Sequence, residues 1–171
     1  MIDLRRYVRD VPDFPTPGIL FRDITPLLAS AEAFGAAVEA MAEPFRRSDA
    51  VKIAGIEARG FMFGAAVARQ LGLGFVPVRK PGKLPGRTER IAYGLEYGSD
   101  ALEVHVDAFK PGEAVLIVDD VLATGGTAAA AAELVERLGA RVAAMVFCIE
   151  LEALQGRSRL TGRTAHAVLV L

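Results

Sequence analysis

The chain alternates between short apolar runs and stretches with apolar residues at helical spacing. The apolar runs predict strands at Val51–Ile56, Gly74–Val78, Ala101–Val106, Val115–Val118, Arg141–Glu150 and Ala165–Leu171. The helical spacing predicts helices at Ile2–Val8, Thr25–Leu28, Ala31–Phe45, Gly60–Leu71 and Gly126–Leu138. Because strands and helices alternate, we expect an α/β fold with a parallel β-sheet flanked by helices. Ligands of such sheets bind beyond the carboxyl ends of the strands, which directs attention to the loops after Ile56, Val78 and Val118.

Two segments rich in proline and glycine interrupt this alternation. Val11–Asp23 holds three prolines and a glycine, which predict a rigid loop. Lys80–Gly98 predicts a second, longer loop. Residues 79–90, which include the start of this loop, carry five basic residues and one acidic residue. The basic ones are Arg79, Lys80, Lys83, Arg87 and Arg90, and the acidic one is Glu89. Either a mobile lid over an anionic ligand or a solvated surface loop fits this composition.

The composition restricts the class of protein. The 171 residues carry 20 Lys and Arg against 21 Asp and Glu, a net charge of −1, which gives no reason to expect nucleic acid or an anionic membrane as partner. We expect one domain over residues 1–171. The single cysteine, Cys148, excludes an internal disulfide and a multi-cysteine zinc site. No apolar run approaches the roughly 18 residues of a membrane span, and the start does not resemble a secretory signal, so we expect a cytoplasmic protein.

The most informative segment is Val115–Thr127, where a buried strand, two carboxylates and a glycine-rich turn precede a helix. Glycines let the backbone approach a ligand, and the first N–H groups of a helix lack internal partners, so Ala123–Thr127 can form a phosphate cup. Asp119 and Asp120 can accept hydrogen bonds from vicinal hydroxyls. The segment therefore fits a ribose 5-phosphate. A solvated strand end followed by a capped turn is the structural alternative.

Arg59, Phe21 and Glu103 are further candidates for chemistry, and each also has a structural interpretation. Arg59 stands between a strand and a helix, where it could meet a pyrophosphate group or simply be exposed. The stiff loop around Phe21 could form a wall for a flat base or only pack in the core. Glu103 alone is an ordinary strand carboxylate. Asp23 could cap the helix that begins at Thr25.

Together these segments resemble the type I phosphoribosyltransferases and, within them, the adenine phosphoribosyltransferases. The resemblance is carried by Asp119-Asp-Val-Leu-Ala-Thr-Gly-Gly-Thr127, Phe14-Pro-Thr-Pro-Gly-Ile-Leu-Phe-Arg-Asp23, Glu57-Ala-Arg-Gly-Phe61 and Arg79-Lys-Pro-Gly-Lys-Leu-Pro-Gly86, followed by Leu95-Glu-Tyr-Gly98 and Leu102-Glu103. The phosphoribosyl motif alone indicates the superfamily, whereas the proline-rich segment and the basic loop indicate adenine. Gly156–Leu171 departs most from the family.

The resemblance implies a fold with a small N-terminal hood and a mobile lid. It implies transfer of the 5-phosphoribosyl group from phosphoribosyl pyrophosphate to adenine, with AMP and pyrophosphate as products. It further implies Mg²⁺ as cofactor, held mainly by substrate oxygens, with Asp119 or Asp120 contacting the ion directly or through water. A homodimer is also implied.

The resemblance assigns roles to individual residues. Glu103 would be catalytic, because the matching carboxyl group hydrogen-bonds the purine N7 and exchanges a proton there. The phosphoribosyl group would contact Asp119, Asp120, Ala123, Thr124, Gly125, Gly126 and Thr127. Pyrophosphate would contact Ala58, Arg59, Gly60, Arg79, Lys80 and Lys83, partly from the neighbouring subunit. Adenine would stack on Phe21 and hydrogen-bond the backbones of Leu20 and Arg22.

Other functions stay open at this point. The base could be hypoxanthine, guanine or xanthine. A non-catalytic regulator that binds phosphoribosyl pyrophosphate would need a DNA-binding region, for which the chain shows no basic stripe. A nucleotide phosphatase or a kinase-like protein would need a nucleophile or a Walker motif, and the sequence shows neither.

Overall fold

The computed structural model describes residues 2–95 and 98–171. In chain order, the strands are β1 (Arg9–Pro12), β2 (Leu20–Asp23), β3 (Lys52–Ile56), β4 (Gly74–Val78), β5 (Thr88–Leu95), β6 (Gly98–His105), β7 (Ala114–Leu122), β8 (Arg141–Glu150) and β9 (Ala165–Val170). The α-helices are α1 (Thr25–Ala29), α2 (Ala31–Ala42), α3 (Arg59–Leu71) and α4 (Gly126–Arg137).

The central sheet has the order β4-β3-β7-β8-β9, with every neighbouring pair parallel. This confirms the expected α/β fold. The chain passes from β3 to β4 on one side and from β7 to β8 on the other. A crevice therefore opens between the carboxyl ends of β3 and β7, at the point where the strand order reverses.

Both faces of the sheet are covered by apolar residues. Leu116 and Ile117 are adjacent in β7 and fully buried, yet they belong to separate apolar clusters on opposite faces. One cluster contains Leu134 of α4, and the other contains Phe63 of α3. Cys148 of β8 lies in the second cluster, where burial raises the pKa of its thiol to about 12. These two layers hold the strand ends that form the crevice.

Two hairpins replace parts of the loops expected from proline and glycine content. β1 and β2 pair antiparallel, with Asp10 opposite Arg22, so only the middle of Val11–Asp23 is irregular. β5 and β6 pair antiparallel with Arg90 opposite Glu103, so the expectation of a loop over the whole of Lys80–Gly98 was wrong. Cross-strand hydrogen bonds, which a local pattern does not reveal, stabilise these strands. Of the Leu95–Gly98 motif, residues 96 and 97 lie outside the described part.

Several boundaries differ slightly from the sequence prediction. The first segment forms a 3₁₀-helix at Leu4–Tyr7, and α2 ends at Ala42, before a 3₁₀ turn at Glu43–Phe45. Asp23 accepts hydrogen bonds from the backbone and hydroxyl of Thr25, as expected of a cap. Over the described residues, no helix is sufficiently long and apolar to cross a bilayer.

Candidate active site

A cavity of about 930 Å³ occupies the crevice at the carboxyl ends of β3 and β7. It brings together most of the residues that the sequence predicted. Those lining it are Leu20, Phe21, Arg22, Ala58, Arg59, Lys80, Asp119, Asp120, Ala123, Thr124, Gly125, Gly126 and Thr127. Gly60, Arg79, Lys83 and Glu103 do not line it in this structure.

The turn from β7 into α4 forms the floor of the cavity. Gly125 has a φ of +81°, in the left-handed region that favours glycine, and α4 begins at the next residue. The opening N–H groups of a helix have no partners within it and carry the positive end of the helix dipole. Thr127 adds a hydroxyl that lies 3.3 Å from the Tyr93 hydroxyl. The turn therefore directs free backbone donors toward the cavity that residues 123–127 line, as the sequence prediction of a phosphate cup requires.

Asp119 and Asp120 lie within β7, because the strand extends beyond Val118 to Leu122. Burial, aided by the charge of Asp120, raises the pKa of Asp119 well above its ordinary value. Asp120 Oδ2 is buried and lies 2.5 Å from Arg59 Nε, but the two groups lack hydrogen-bond alignment. This oxygen therefore has no directional partner among the described residues. The acid pair has unused acceptor capacity for hydroxyl groups.

The β1–β2 hairpin forms one wall of the cavity. Phe21 packs edge-to-face against Phe14 with ring centroids 5.2 Å apart, and the Arg59 guanidinium lies 5.6 Å from the Phe21 ring centroid. Arg22 pairs with Asp10 across the hairpin. Leu20 is 46% exposed. An exposed apolar edge beside a fixed aromatic ring suits a flat heterocycle.

Two basic side chains near the cavity, those of Arg79 and Lys83, converge on one carboxylate, Glu57, just after β3. Arg79 donates to both Glu57 oxygens at 3.2 Å, and Lys83 Nζ lies 2.5 Å from Oε1. Lys80 directs its ammonium group elsewhere, to Asp100 and to the Tyr93 hydroxyl. Two cations assigned to pyrophosphate by resemblance are thus held by an acid that lines the same cavity.

Gly60 has a packing role that explains its position outside the cavity lining. A Cβ atom there would lie 2.7 Å from Asp119 Oδ1 and 2.9 Å from the Val118 carbonyl oxygen. Only glycine lets α3 begin this close to β7. Gly60 therefore positions the first turn of α3, and with it Arg59, against the acid pair.

Glu103 faces the basic loop rather than the cavity. Its side chain accepts the Gly82 N–H at 3.1 Å, and its backbone pairs with that of Arg79. The residue is 8% exposed. The carboxyl group predicted to be catalytic is thus at the start of the loop.

Two groups at the cavity were not predicted from the sequence. The first is Glu57, although an acid next to Arg59 and close to the basic loop is a usable signal. Leu151, Leu154 and Leu171 also line the cavity, and Leu154 is 47% exposed. They lie in the segments just after β8 and β9, to which the sequence assigned no function, and no local pattern predicts that they share a cavity with the β1–β2 hairpin.

Comparisons with known proteins agree with this geometry. The family described as "Phosphoribosyl transferase domain" matches residues 28–163. An adenine phosphoribosyltransferase of Carboxydothermus hydrogenoformans is 59% identical over 162 residues, covering 95% of both chains.

Solved structures give the same result. The adenine phosphoribosyltransferase of Rhodothermus marinus has a TM-score of 0.93 and 53% identity, covering 98% of this chain and 96% of its own. That of Saccharomyces cerevisiae, complexed with D-2,5-dideoxy-2,5-imino-altritol 1,6-bisphosphate and adenine, has a TM-score of 0.91 and 43% identity, covering 97% and 96%. The chain therefore belongs to the type I phosphoribosyltransferase family, in the branch of the adenine phosphoribosyltransferases.

Proposed function

We propose that this chain transfers the 5-phosphoribosyl group of phosphoribosyl pyrophosphate to adenine, giving AMP and pyrophosphate, as a purine salvage enzyme. The observation that carries the proposal is a single cavity in which a phosphate cup, an acid pair and an aromatic wall follow one another. These three features match the phosphate, ribose and base of the product in their order along the molecule. The proposal treats residues 1–171 as one domain.

The phosphoribosyl group is fixed by the end of β7 and the start of α4. The phosphate receives backbone N–H groups from Ala123–Thr127, while the ribose hydroxyls donate to Asp119 and Asp120. Arg59 now lies against Asp120 and would turn toward the pyrophosphate when the ribose arrives. The chain thereby holds C1′ in a fixed position, which suits a reaction limited by positioning and charge.

Pyrophosphate leaves toward the basic side of the cavity. Ala58 offers its backbone and Arg59 its guanidinium. Lys80 also lines the cavity, and its ammonium group would have to leave Asp100 to reach the pyrophosphate. Arg79 and Lys83 lie just behind, on Glu57. We propose that these cations neutralise the leaving group and that the loop at residues 79–87 acts as the lid.

Adenine lies against the β1–β2 hairpin. Phe21 stacks on its face, and the backbones of Leu20 and Arg22 hydrogen-bond its edge. A buried backbone donor or acceptor that meets the wrong group on the base is left unpaired, which discriminates a 6-amino from a 6-oxo purine. Leu154 closes the apolar side of this position.

Glu103 stays the predicted catalytic carboxyl group. In this structure it contacts Gly82 outside the cavity, so proton exchange with the purine N7 requires the β5–β6 hairpin to move toward the base. Other described acids of that hairpin are engaged elsewhere: Asp100 with Lys80, and Glu89 with Arg137. Glu96, seven positions earlier in the sequence, lies outside the described residues and provides the comparison for a test.

Magnesium fits the acid pair as a weakly held ion. Asp120 presents a buried oxygen without a hydrogen bond, and the described residues contain no cluster of three or more ligating side chains. Asp119 or Asp120 would contact the ion, while substrate oxygens supply most ligands, as Mg²⁺ prefers. When bound, Mg²⁺ would neutralise part of the charge on pyrophosphate.

A homodimer is part of the proposal and rests on the resemblance to the family. In the family, cations matching Arg79, Lys80 and Lys83 act partly across subunits. Sedimentation measurements on the purified chain would show the expected dimer, and a monomer that is fully active would contradict it. The cytoplasmic location expected from the sequence stays a prediction.

The deciding experiment supplies phosphoribosyl pyrophosphate, Mg²⁺ and one purine at a time, and identifies the nucleotide by mass. We expect AMP from adenine, and little nucleotide from hypoxanthine, guanine or xanthine. Turnover of a 6-oxo purine in preference to adenine would assign another base. Binding of phosphoribosyl pyrophosphate without any nucleotide formed would indicate a regulator instead.

A further inference from the structure

Glu57 is an acid in a place that should favour an anion. Its side chain is only 8% exposed, and it lines the same cavity as Ala58 and Lys80. Ala58 is one of the residues assigned to pyrophosphate above. A carboxylate here would repel a ligand with several negative charges, so the presence of Glu57 requires an explanation.

The contacts of Glu57 account for its charge. Oε2 accepts the backbone N–H of Lys80 at 2.9 Å and Arg79 Nε at 3.2 Å, while Oε1 receives Lys83 Nζ and the second Arg79 nitrogen. Burial opposes ionisation, but these donors outweigh it and lower the pKa of Glu57 to about 2. Glu57 is therefore ionised at neutral pH.

The loop is organised around this carboxylate. Arg79 also donates to the Lys83 carbonyl oxygen at 3.0 Å, which closes a small ring of contacts among the three residues. The side chain of Lys83 is 49% exposed and that of Arg79 is 32% exposed, so both can reach a new anion without unfolding. A pyrophosphate group in the cavity would compete with Glu57 for both cations.

We propose that Glu57 is a positioning residue that holds Arg79 and Lys83 in the empty enzyme, yields them to pyrophosphate and takes them back as pyrophosphate leaves. The inference rests on the proposed function, since pyrophosphate is the leaving group there. Its consequence is that Glu57 weakens pyrophosphate binding and speeds release.

The test is Glu57→Gln, which keeps the size of the side chain and removes its charge. We expect pyrophosphate, titrated with Mg²⁺ by calorimetry, to bind about tenfold more tightly, because one nearby negative charge is gone. AMP affinity should stay near the wild-type value, since AMP has no pyrophosphate. Inhibition of AMP synthesis by added pyrophosphate should strengthen by a similar factor.

Two further variants serve as controls. Glu57→Asp keeps the charge and should return pyrophosphate affinity toward the wild-type value. Glu113→Gln removes a comparable acid that pairs with Lys52, away from the cavity lining. This variant should change the affinity for neither pyrophosphate nor AMP. Weaker or unchanged pyrophosphate binding by a folded Glu57→Gln protein overturns the inference, because a purely structural acid would give that result.

The wild-type protein provides a second measurement if Glu57→Gln does not fold. The Arg79 Nε–H signal in nitrogen NMR, assigned with Arg79→Lys, should shift on addition of pyrophosphate with Mg²⁺ and stay in place with AMP. If the Arg79 signal does not shift on addition of pyrophosphate, Arg79 does not pass from Glu57 to pyrophosphate. These results are independent of the synthesis assay. Failure to form AMP would overturn the proposed function. Normal AMP synthesis, combined with an Arg79 signal that does not shift with pyrophosphate, would overturn this inference alone.

Discussion

Gly125 and Gly156 face each other so closely that a Cβ atom on Gly125 would lie 2.3 Å from the Gly156 carbonyl oxygen. The contact is reciprocal, since a Cβ atom on Gly156 would lie 2.2 Å from the Ala123 carbonyl oxygen. The 3₁₀ turn Gly156–Arg159 thus packs directly on the phosphate cup. Its anchor is an ion pair in which the exposed Arg157 side chain donates to both oxygens of the buried Glu150 and to the Ala165 carbonyl oxygen. The segment that departs most from the family pattern therefore supports the glycine turn that we propose to bind phosphate.

The first prediction tests the cup directly. Gly125→Ala should weaken AMP and phosphoribosyl pyrophosphate severely, by about 1.5–3 kcal/mol for each charge-assisted hydrogen bond lost. Gly112→Ala is the control, because Gly112 has a φ of +80° with nothing within 4 Å of an added Cβ atom. That variant should show only backbone strain of about 1–2 kcal/mol and normal ligand affinity. The ligand-induced rise in melting temperature measures both, and a normal rise in folded Gly125→Ala would refute the assignment.

The second prediction tests the support beneath the cup. Gly156→Ala should push the Ala123 carbonyl away and so weaken binding of AMP, although Gly156 itself is absent from the cavity lining. Gly35→Ala, in α2 with open space around it, should bind normally and gain about 0.5–1 kcal/mol in unfolding free energy. Calorimetric titration of AMP decides the matter. Equal affinity in the two variants would show that the turn and the cup are independent.

The third prediction concerns the lid cations. Lys83→Ala and Arg79→Ala should slow AMP synthesis more than they weaken AMP binding, because AMP lacks the group they would neutralise. Lys110→Ala, a basic residue outside the cavity lining, should leave both unchanged. Steady-state rates and AMP titrations give the comparison. Equal losses for AMP and for phosphoribosyl pyrophosphate would argue against a lid that acts on pyrophosphate.

The same variants test the dimer. If Arg79 acts across subunits, mixing inactive Arg79→Ala and Glu103→Ala chains should restore part of the activity, because some mixed dimers contain one intact site. No recovery, with mixed dimers demonstrated by mass, would place Arg79 in its own subunit, where it contacts Glu57.

The fourth prediction concerns Glu103. Activity should fall in the order Glu, Gln, Leu, since Gln keeps a donor but cannot exchange a proton and Leu does neither. General acid–base catalysis contributes roughly a hundredfold to ten-thousandfold, so Glu103→Leu should lose on the order of 3–5 kcal/mol of transition-state stabilisation. Affinity for phosphoribosyl pyrophosphate should hardly change. The measurements are kcat and the adenine KM, with Glu96→Gln beside them.

The comparison variant makes that result decisive. Wild-type turnover in Glu103→Leu, combined with a large loss in Glu96→Gln, would reassign the catalytic carboxyl group to Glu96. Glu103 would then have only a structural role, in which its hydrogen bond with the Gly82 N–H holds the start of the basic loop.

The fifth prediction uses the low pKa of Glu57. Because its pKa of about 2 in the folded protein lies below the ordinary 4.5, the ionised form stabilises the fold above pH 4.5. This contribution should be lost as pH falls from 4.5 toward 2. At pH 7, the wild-type protein should therefore have a larger free energy of unfolding than Glu57→Gln. This difference in unfolding free energy should shrink as the pH falls from 4.5 toward 2. Urea unfolding at a series of pH values measures it, and a constant difference would mean that the charge of Glu57 does not contribute.

Much of the fold was predictable because its signals are local. Helical spacing and apolar runs placed the strands of the central sheet and its helices within a few residues, and βαβ connections have one handedness. The acid pair and the glycine turn were predictable for the same reason, since one continuous stretch from Val115 to Thr127 carries them. The loop expectation failed at β5, because that strand depends on its partner β6 and alternates poorly on its own.

By itself, the sequence determined the α/β alternation, the glycine turn before α4 and the family resemblance, since neighbouring residues carry each of these signals. Tertiary structure decided which distant groups share the cavity. Glu57 collects Arg79 and Lys83 across a strand and a loop, Glu103 turns to Gly82, and Gly156 supports Gly125. These contacts join residues far apart along the chain, and their geometry depends on packing in three dimensions, which no local pattern encodes.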